Sequence, residues 1–311
     1  MAAQPRPRDW LLLLGLGIIW GAAFGATKLA TVDFRPLTIA GLRLGIAAAT
    51  LFAILWLRGE RFPGLSATRE RRFWLAALAV GFLANAMPFT VLAWAQRYID
   101  SALAAVLMST MPLLVLPLGH LFVPGERITR RRVIGFVLGF AGVTVLIGPD
   151  ALLALGSGGA VAVLAQLACI LVAFGYASGA VVSKLAPDFG LLRFGTASLI
   201  FAALMTLPAA LVLEWPPFAA PSTPALLSIL YLGLVPTALA TVMLLTVIAS
   251  AGPGFLSLVN YQVPLWGVIF GAAFLGETPS PRLGLALVMI LGGLAVAQSR
   301  LGLRRGAQVR G

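Results

Sequence analysis

The sequence predicts an all-α polytopic membrane protein, with ten transmembrane helices arranged as two five-helix repeats of inverted topology. Three observations predict it: the composition, a series of long apolar runs, and a set of short motifs that occurs twice. The 311 residues are 60% hydrophobic and only 10% charged. A soluble domain carries roughly 45–50% apolar and about 25% charged residues. Too few charged groups are present to cover this much apolar surface in water, so lipid is the solvent that fits.

A helix needs about 20 apolar residues to cross the hydrocarbon core. In chain order, the first five runs extend from Trp10 to Ala30, Pro36 to Leu57, Phe73 to Ala95, Ser101 to Phe122, and Val133 to Ile147. The second five extend from Ala160 to Ser183, Leu191 to Leu213, Pro224 to Val247, Gly254 to Leu275, and Leu283 to Gln298. Continuous runs of this length exclude a β-barrel, whose strands are short and alternate. Arg6 and Arg8 before the first run imitate a secretory signal. That run is too long for a signal core and many similar ones follow, so it reads as an uncleaved span.

Orientation follows from Lys and Arg, which are retained in the cytoplasm. With the N-terminus inside, seventeen of the 22 fall on the inner side. Four, Lys28, Arg35, Arg97 and Arg282, fall outside, and Arg43 lies within a span. Both termini are therefore expected in the cytoplasm, with the inner arginines against anionic lipid headgroups. Trp10, Trp56 and Trp74 fall at the inner boundary, and Trp94, Tyr98 and Trp215 at the outer one, as amphipathic rings prefer. The net charge of +12 does not indicate a nucleic-acid partner, because the basic residues sit in short loops rather than on one soluble face.

The chain also resembles itself. Gly125-Glu126 follows the fourth span and Gly276-Glu277 the ninth; Pro112 and Pro264 precede them by 13 and 12 residues. Gly142 and Gly293 each lie 16 residues beyond the respective Glu. Lys28-Leu29 closes the first span and Lys184-Leu185 the sixth, while Met87-Pro88 parallels Val235-Pro236. Residues 1–149 and 150–311 thus form two units of five spans, the second carrying a basic tail. Five is odd, so the second unit starts on the opposite side from the first. Inverted repeats of this kind build alternating-access transporters with a site near the midplane.

Several of these pieces together resemble the drug/metabolite transporter superfamily, with two EamA-type units. They are Trp20-Gly21-Ala22-Ala23-Phe24 with Lys28, Arg43, Met111-Pro112 with Gly125-Glu126-Arg127, and Tyr261-Gln262-Val263-Pro264 with Gly276-Glu277. Thr278 stands where the family often has Arg. The resemblance implies a central cavity, a bacterial inner-membrane location, and export or exchange of small metabolites such as amino acids, or of drugs. An integral-membrane enzyme and a non-transporting scaffold are the alternatives. Against the enzyme, Ser109, Ser178 and Ser257 have no evident base beside them. The scaffold is disfavoured by the absence of long loops.

The expected site residues are polar or aromatic groups deep in the spans. Trp20 and Phe24 share a helical face; Asn85, Tyr176, Ser178, Asn260, Tyr261, Gln262 and Trp266 complete a cavity for a small organic solute. Lys28 with Asp33, and Lys184 with Asp188, stand at opposite faces as candidate gating pairs. Pro88, Pro112, Pro236 and Pro264 are candidate kinks. Glycines four apart, such as Gly17, Gly21 and Gly25, allow close helix approach, which fits tight packing within a monomer. All ten acidic residues fall at span ends or in loops, so transport is not expected to need a buried titrating carboxylate. One Cys and one His allow neither an internal disulfide nor a Cys/His metal site, and no cofactor is expected.

Overall fold

The computed structural model describes residues 5–125, 128–148, 159–215 and 220–298. Glu126, Arg127, Asp150, Arg300, Arg304, Arg305 and Arg310 lie outside the described residues. Among the described residues the secondary structure is helical, without strands.

The first half contains α1 (Pro7–Ala30), α2 (Pro36–Leu57), α3 (Thr68–Gly81), a π-helical turn at Phe82–Ala86, α4 (Met87–Ala95), α5 (Ser101–Met108), α6 (Met111–Phe122) and α7 (Arg130–Ile147). The second contains α8 (Ala160–Leu185), α9 (Leu191–Leu213), α10 (Thr223–Gly233), a second π-helical turn at Leu234–Leu239, α11 (Ala240–Ala251), α12 (Pro253–Leu256), α13 (Val259–Leu275) and α14 (Pro281–Gln298). Proline opens α1, α2, α12 and α14, where its fixed φ suits the first turn and its missing N–H costs nothing. Several helices exceed the apolar runs by a polar turn: the third span starts at Thr68, not Phe73, and the first at Pro7.

Nine helical segments among the described residues are long and apolar enough to cross a membrane. The expected fifth span, α7, has 18 residues but opens on Arg130, Arg131 and Arg132. Its apolar remainder packs along α14, the last span of the other half, so it lies alongside a helix that does qualify. Large apolar side chains face outward, among them Trp56, Leu57, Val212 and Phe274, which is the surface expected of a chain dissolved in lipid.

The pattern of packing exchanges between halves. The first span packs on the eighth and ninth, and the sixth on the third and fourth. The second span packs on the seventh, and the fifth on the tenth. Each pairing has its counterpart when the halves are swapped, as a pseudo-twofold arrangement requires. Glycines set the spacing at these contacts. A methyl group on Gly179 would lie 2.6 Å from the Ala84 side chain, and one on Gly81 2.7 Å from the Ser198 carbonyl oxygen.

The paired prolines divide into two kinds. Pro236 lies within the second π-helical turn and Pro88 two residues beyond the first; at each a missing N–H disrupts the ladder and one residue is accommodated in a wide turn. Pro112 stands at the start of α6, after an interruption at Ser109 and Thr110. Pro264 departs from the expectation, because α13 runs unbroken through it. The ninth span is interrupted instead at Ser257 and Leu258.

Close approach makes a direct prediction. Gly81→Ala should lower thermal stability by about 1–3 kcal/mol, because the added methyl meets backbone that cannot rotate away. Gly284→Ala, on an exposed helical position with nothing within 4 Å of the new methyl, should be neutral or stabilising. Equal melting temperatures for the two variants would contradict the packing described.

Candidate substrate site

Arg43 is the charge deepest in the spans and the natural starting point. It lies in α2, is 6% exposed, and belongs to an otherwise apolar helix. Its partner is built by proline chemistry in the opposite half. Pro236 has no N–H, so the Leu232 carbonyl one turn earlier loses its usual donor. The Thr237 hydroxyl donates to that carbonyl instead, at 2.7 Å. The same hydroxyl oxygen accepts from Arg43 Nε at 2.8 Å.

The guanidinium carbon sits 3.8 Å from the centroid of the Phe89 ring, a cation–π contact strengthened where water is scarce. Phe89 follows Pro88 directly, as Thr237 follows Pro236. The Tyr176 ring lies 6.3 Å from that of Phe89, edge to face. Tyr176 and Tyr231 are both near enough to interact electrostatically with Arg43. Two further bonds tie α1 to the cluster: Trp20 Nε1 donates to the Pro236 carbonyl and the Tyr231 hydroxyl to the Ile19 carbonyl, both at 3.0 Å. Both halves thus contribute to one site at the two π-helical turns.

Of the nine expected cavity residues, Trp20 and Tyr176 belong to this cluster. Asn85 donates to Val80 O, Ser178 to Phe174 O and Asn260 to Ser257 O, all within their own spans. Phe24 is buried in the core, and its carbonyl accepts from Gln96 Nε2. Trp266 stacks on Phe270 and packs against Gly21. Gln262 packs against Gly17 and leaves a buried Oε1 without a partner. Tyr261 lines a different space, a cavity of about 1240 Å³ at the face where α1 begins, together with Ser257 and Gln298. Phe89, Tyr231 and Thr237 were missed by sequence reasoning. The signal for two of them was present: each follows one of the paired prolines.

The far face, where α1 ends, is held by charges on helix ends. Lys28 Nζ donates to the Gln96 and Ile99 carbonyls at 2.7 and 2.8 Å. Glu277 accepts from the amides of Ser101 and Ala102, and Glu214 from those of Leu37 and Thr38. Asp33 accepts from the amide and hydroxyl of Ser222. The structure therefore does not pair Lys28 with Asp33; each holds a different helix end. At the other face, Asp188 Oδ1 accepts from the Gly190 amide, and its carbonyl accepts from Arg69. Among the described residues, no group of three His, Cys, Asp or Glu could hold a metal ion.

The EamA-like transporter family profile matches the chain twice, at residues 9–148 and 163–298. The chain belongs to the EamA-like transporter family. A relative from Escherichia coli (strain K12), named uncharacterized inner membrane transporter YedA, is 28% identical over 90% of this chain and 87% of its own length. The uncharacterized transporter YoaV of Bacillus subtilis (strain 168) is 26% identical over 91% of this chain and 94% of its own. A crystal structure of a protein 22% identical superposes with a TM-score of 0.66 over 94% of this chain and 98% of the other, which shows the shared fold. The protein is accordingly a membrane transporter of this family, and the twofold match fits its repeat architecture.

Two predictions test the far-face ties of this EamA transporter. Lys28→Met leaves two buried-side carbonyls without their donor and should cost about 1–3 kcal/mol of stability, read by thermal unfolding in detergent. Asp33 is held below its ordinary pKa of 3.8 by the Ser222 hydroxyl, then by the Ser222 amide. A depressed folded pKa stabilises above the unfolded value and is lost as pH falls through the folded one. The melting-temperature difference between wild type and Asp33→Asn should therefore be full at pH 7 and shrink below about pH 3.8.

Proposed function

We propose that this EamA-family transporter moves small organic metabolites by alternating access, in the direction of export or by exchange, with the Arg43 cluster as its central site. The observation that carries this reading is the assembly of one polar and aromatic site from both halves, at the two π-helical turns. Such turns concentrate at functional sites, and one in each half gives each half a compliant segment beside the solute.

The cavity at the face where α1 begins supports an entry from that side. The excess of Lys and Arg in the loops of that face supports its being cytoplasmic. On this reading both termini are cytoplasmic, anionic headgroups lie against the inner arginines, and the far face is closed by the ties of Lys28, Glu214 and Glu277. The one buried carboxylate among the described residues, Asp9, sits in the first turn of α1 and is held by the Arg6 amide and the Ser250 hydroxyl; none lies in the middle of a span, which supports exchange or drive by the solute's own gradient.

Reconstituted flux of a mixed metabolite pool tests the site. Tyr176→Ala and Trp20→Ala should each lower flux by about tenfold, or ~1.4 kcal/mol of barrier, while Phe274→Ala on the lipid-facing surface leaves it unchanged. Accessibility tests the orientation. In intact cells with Cys169 left buried, Ser257→Cys should resist a membrane-impermeant thiol reagent that reaches it in inside-out vesicles. Labelling of Ser257→Cys from outside would reverse the proposed topology, and flux indifferent to both aromatic truncations would remove the site.

A further inference from the structure

We infer that Arg43 binds the carboxylate of the transported solute, so that the site selects small organic monoanions with an apolar or aromatic body. This rests on the transporter reading above and names the substrate class of that site.

Arg43 is a permanent cation, more than nine-tenths buried, in a span surrounded by lipid-soluble side chains. A buried charge is tolerated when it is paired and hydrogen-bonded. Among the described residues none supplies an anion here. The eight described carboxylates lie at helix ends or in loops, and their partners are elsewhere. Asp9, Asp33, Glu70, Glu214 and Glu277 accept from backbone amides at helix starts, and Glu60 pairs with Arg193 at 3.1 Å. The groups that do surround Arg43, namely Thr237, Phe89, Tyr176 and Tyr231, are neutral. Its compensating charge therefore has to arrive with the solute.

The guanidinium geometry narrows the solute further. Nε is engaged by Thr237, and that bond with the Phe89 stack fixes the plane of the fork. Nη1 and Nη2 make no hydrogen bond to a described residue, and neither is fully enclosed. Two parallel N–H donors on a fixed plane match the two oxygens of a carboxylate. One cation also sets the valence. A carboxylate makes a neutral pair, whereas a phosphate dianion would bring an uncompensated negative charge into the same low-dielectric space. An amine would be repelled. The Tyr176 ring against Phe89 and the Trp20 ring bonded to the Pro236 carbonyl offer apolar contact to the remainder of the molecule.

The test is a thermal-shift panel on the purified full-length protein. Phenylacetate, hexanoate and N-acetylalanine are each compared with the corresponding primary amide, and phenylacetate also with 2-phenylethylamine. At least one carboxylate should raise the melting temperature while its amide and the amine do not. Arg43→Lys should weaken that binding at least tenfold, and Arg43→Gln should abolish it. Should Arg43→Gln fail to fold, Thr237→Val serves in its place: it keeps the charge, frees the fork, and should weaken carboxylate binding several-fold. An amide or amine that binds as well as its carboxylate overturns the inference, as does a panel with no carboxylate effect or undiminished binding in a folded Arg43→Gln. Flux in liposomes separates this from the wider reading. Carriage of neutral solutes without carboxylate preference sinks the Arg43 assignment and leaves transport standing. Carboxylate binding that depends on Arg43, without flux of any solute, supports the assignment and removes transport.

Discussion

The glycine face of α8 is the constraint on which the centre of the molecule depends. Gly175 and Gly179 present no side chain to the turn at Phe82–Ala86; a methyl on Gly175 would lie 2.6 Å from the Leu83 carbonyl oxygen. Lipid provides no hydrophobic force between helices, so such close contact has to supply the adhesion. Because the backbones touch there, Tyr176, next to Gly175, reaches Phe89, just beyond Pro88. Phe89 in turn carries the Arg43 guanidinium. A larger residue at Gly175 would separate the halves at the level where their side chains have to meet.

The distribution of charge follows from the same absence of water. Every helix start that enters lipid presents unpaired amides, and most carboxylates are used to satisfy them. Gly276 makes one of these possible. Its left-handed φ of 66° ends α13 and turns the chain so that the following Glu277 reaches the start of α5. Two oxygens of one carboxylate then hold two amides of another span. Lys28 does the converse job on carbonyls at a helix end. With acids committed to helix ends, the interior is left with one cation and neutral neighbours. The polarity of the site is thus partly a consequence of how the scaffold is capped.

The sequence shows the scaffold well, because spans and repeats are local or periodic patterns. Long apolar runs report lipid crossing, and the doubled Gly-Glu and Pro signals report duplication. It shows the site less well. Arg43 was visible as a charge within a span, but its partner Thr237 lies 194 positions away, and nothing local pairs them. The same distance hid the true partners of Lys28 and Asp33, which are close in sequence yet hold different helices. Asn85, Ser178 and Asn260 look like cavity groups on hydropathy alone; the hydroxyl and amides of such residues are also satisfied by the carbonyls of their own span. Pro264 looked equivalent to Pro112, yet the ninth span is interrupted several residues earlier. Proline removes a donor but does not fix where a tightly packed helix yields.

A symmetric scaffold carries an asymmetric site, and the difference bears on mechanism. In the first half the residue after the paired proline is Phe89, in the second Thr237, and both address the same guanidinium. The corresponding span of the second half, α9, has Arg193 near one end, paired with Glu60, and no charge in its interior. Backbone symmetry lets the halves exchange conformations at similar energy. On the proposed alternating-access reading, the single cation stays on α2 in either conformation, so the solute's anchor need not be handed from one half to the other. On the same reading, the far-face ties are the contacts that have to part for exit on that side. They are hydrogen bonds from charged groups to backbone, each worth about 1.5–3 kcal/mol, strong enough together to hold one face shut. As separate contacts they can still be broken one at a time.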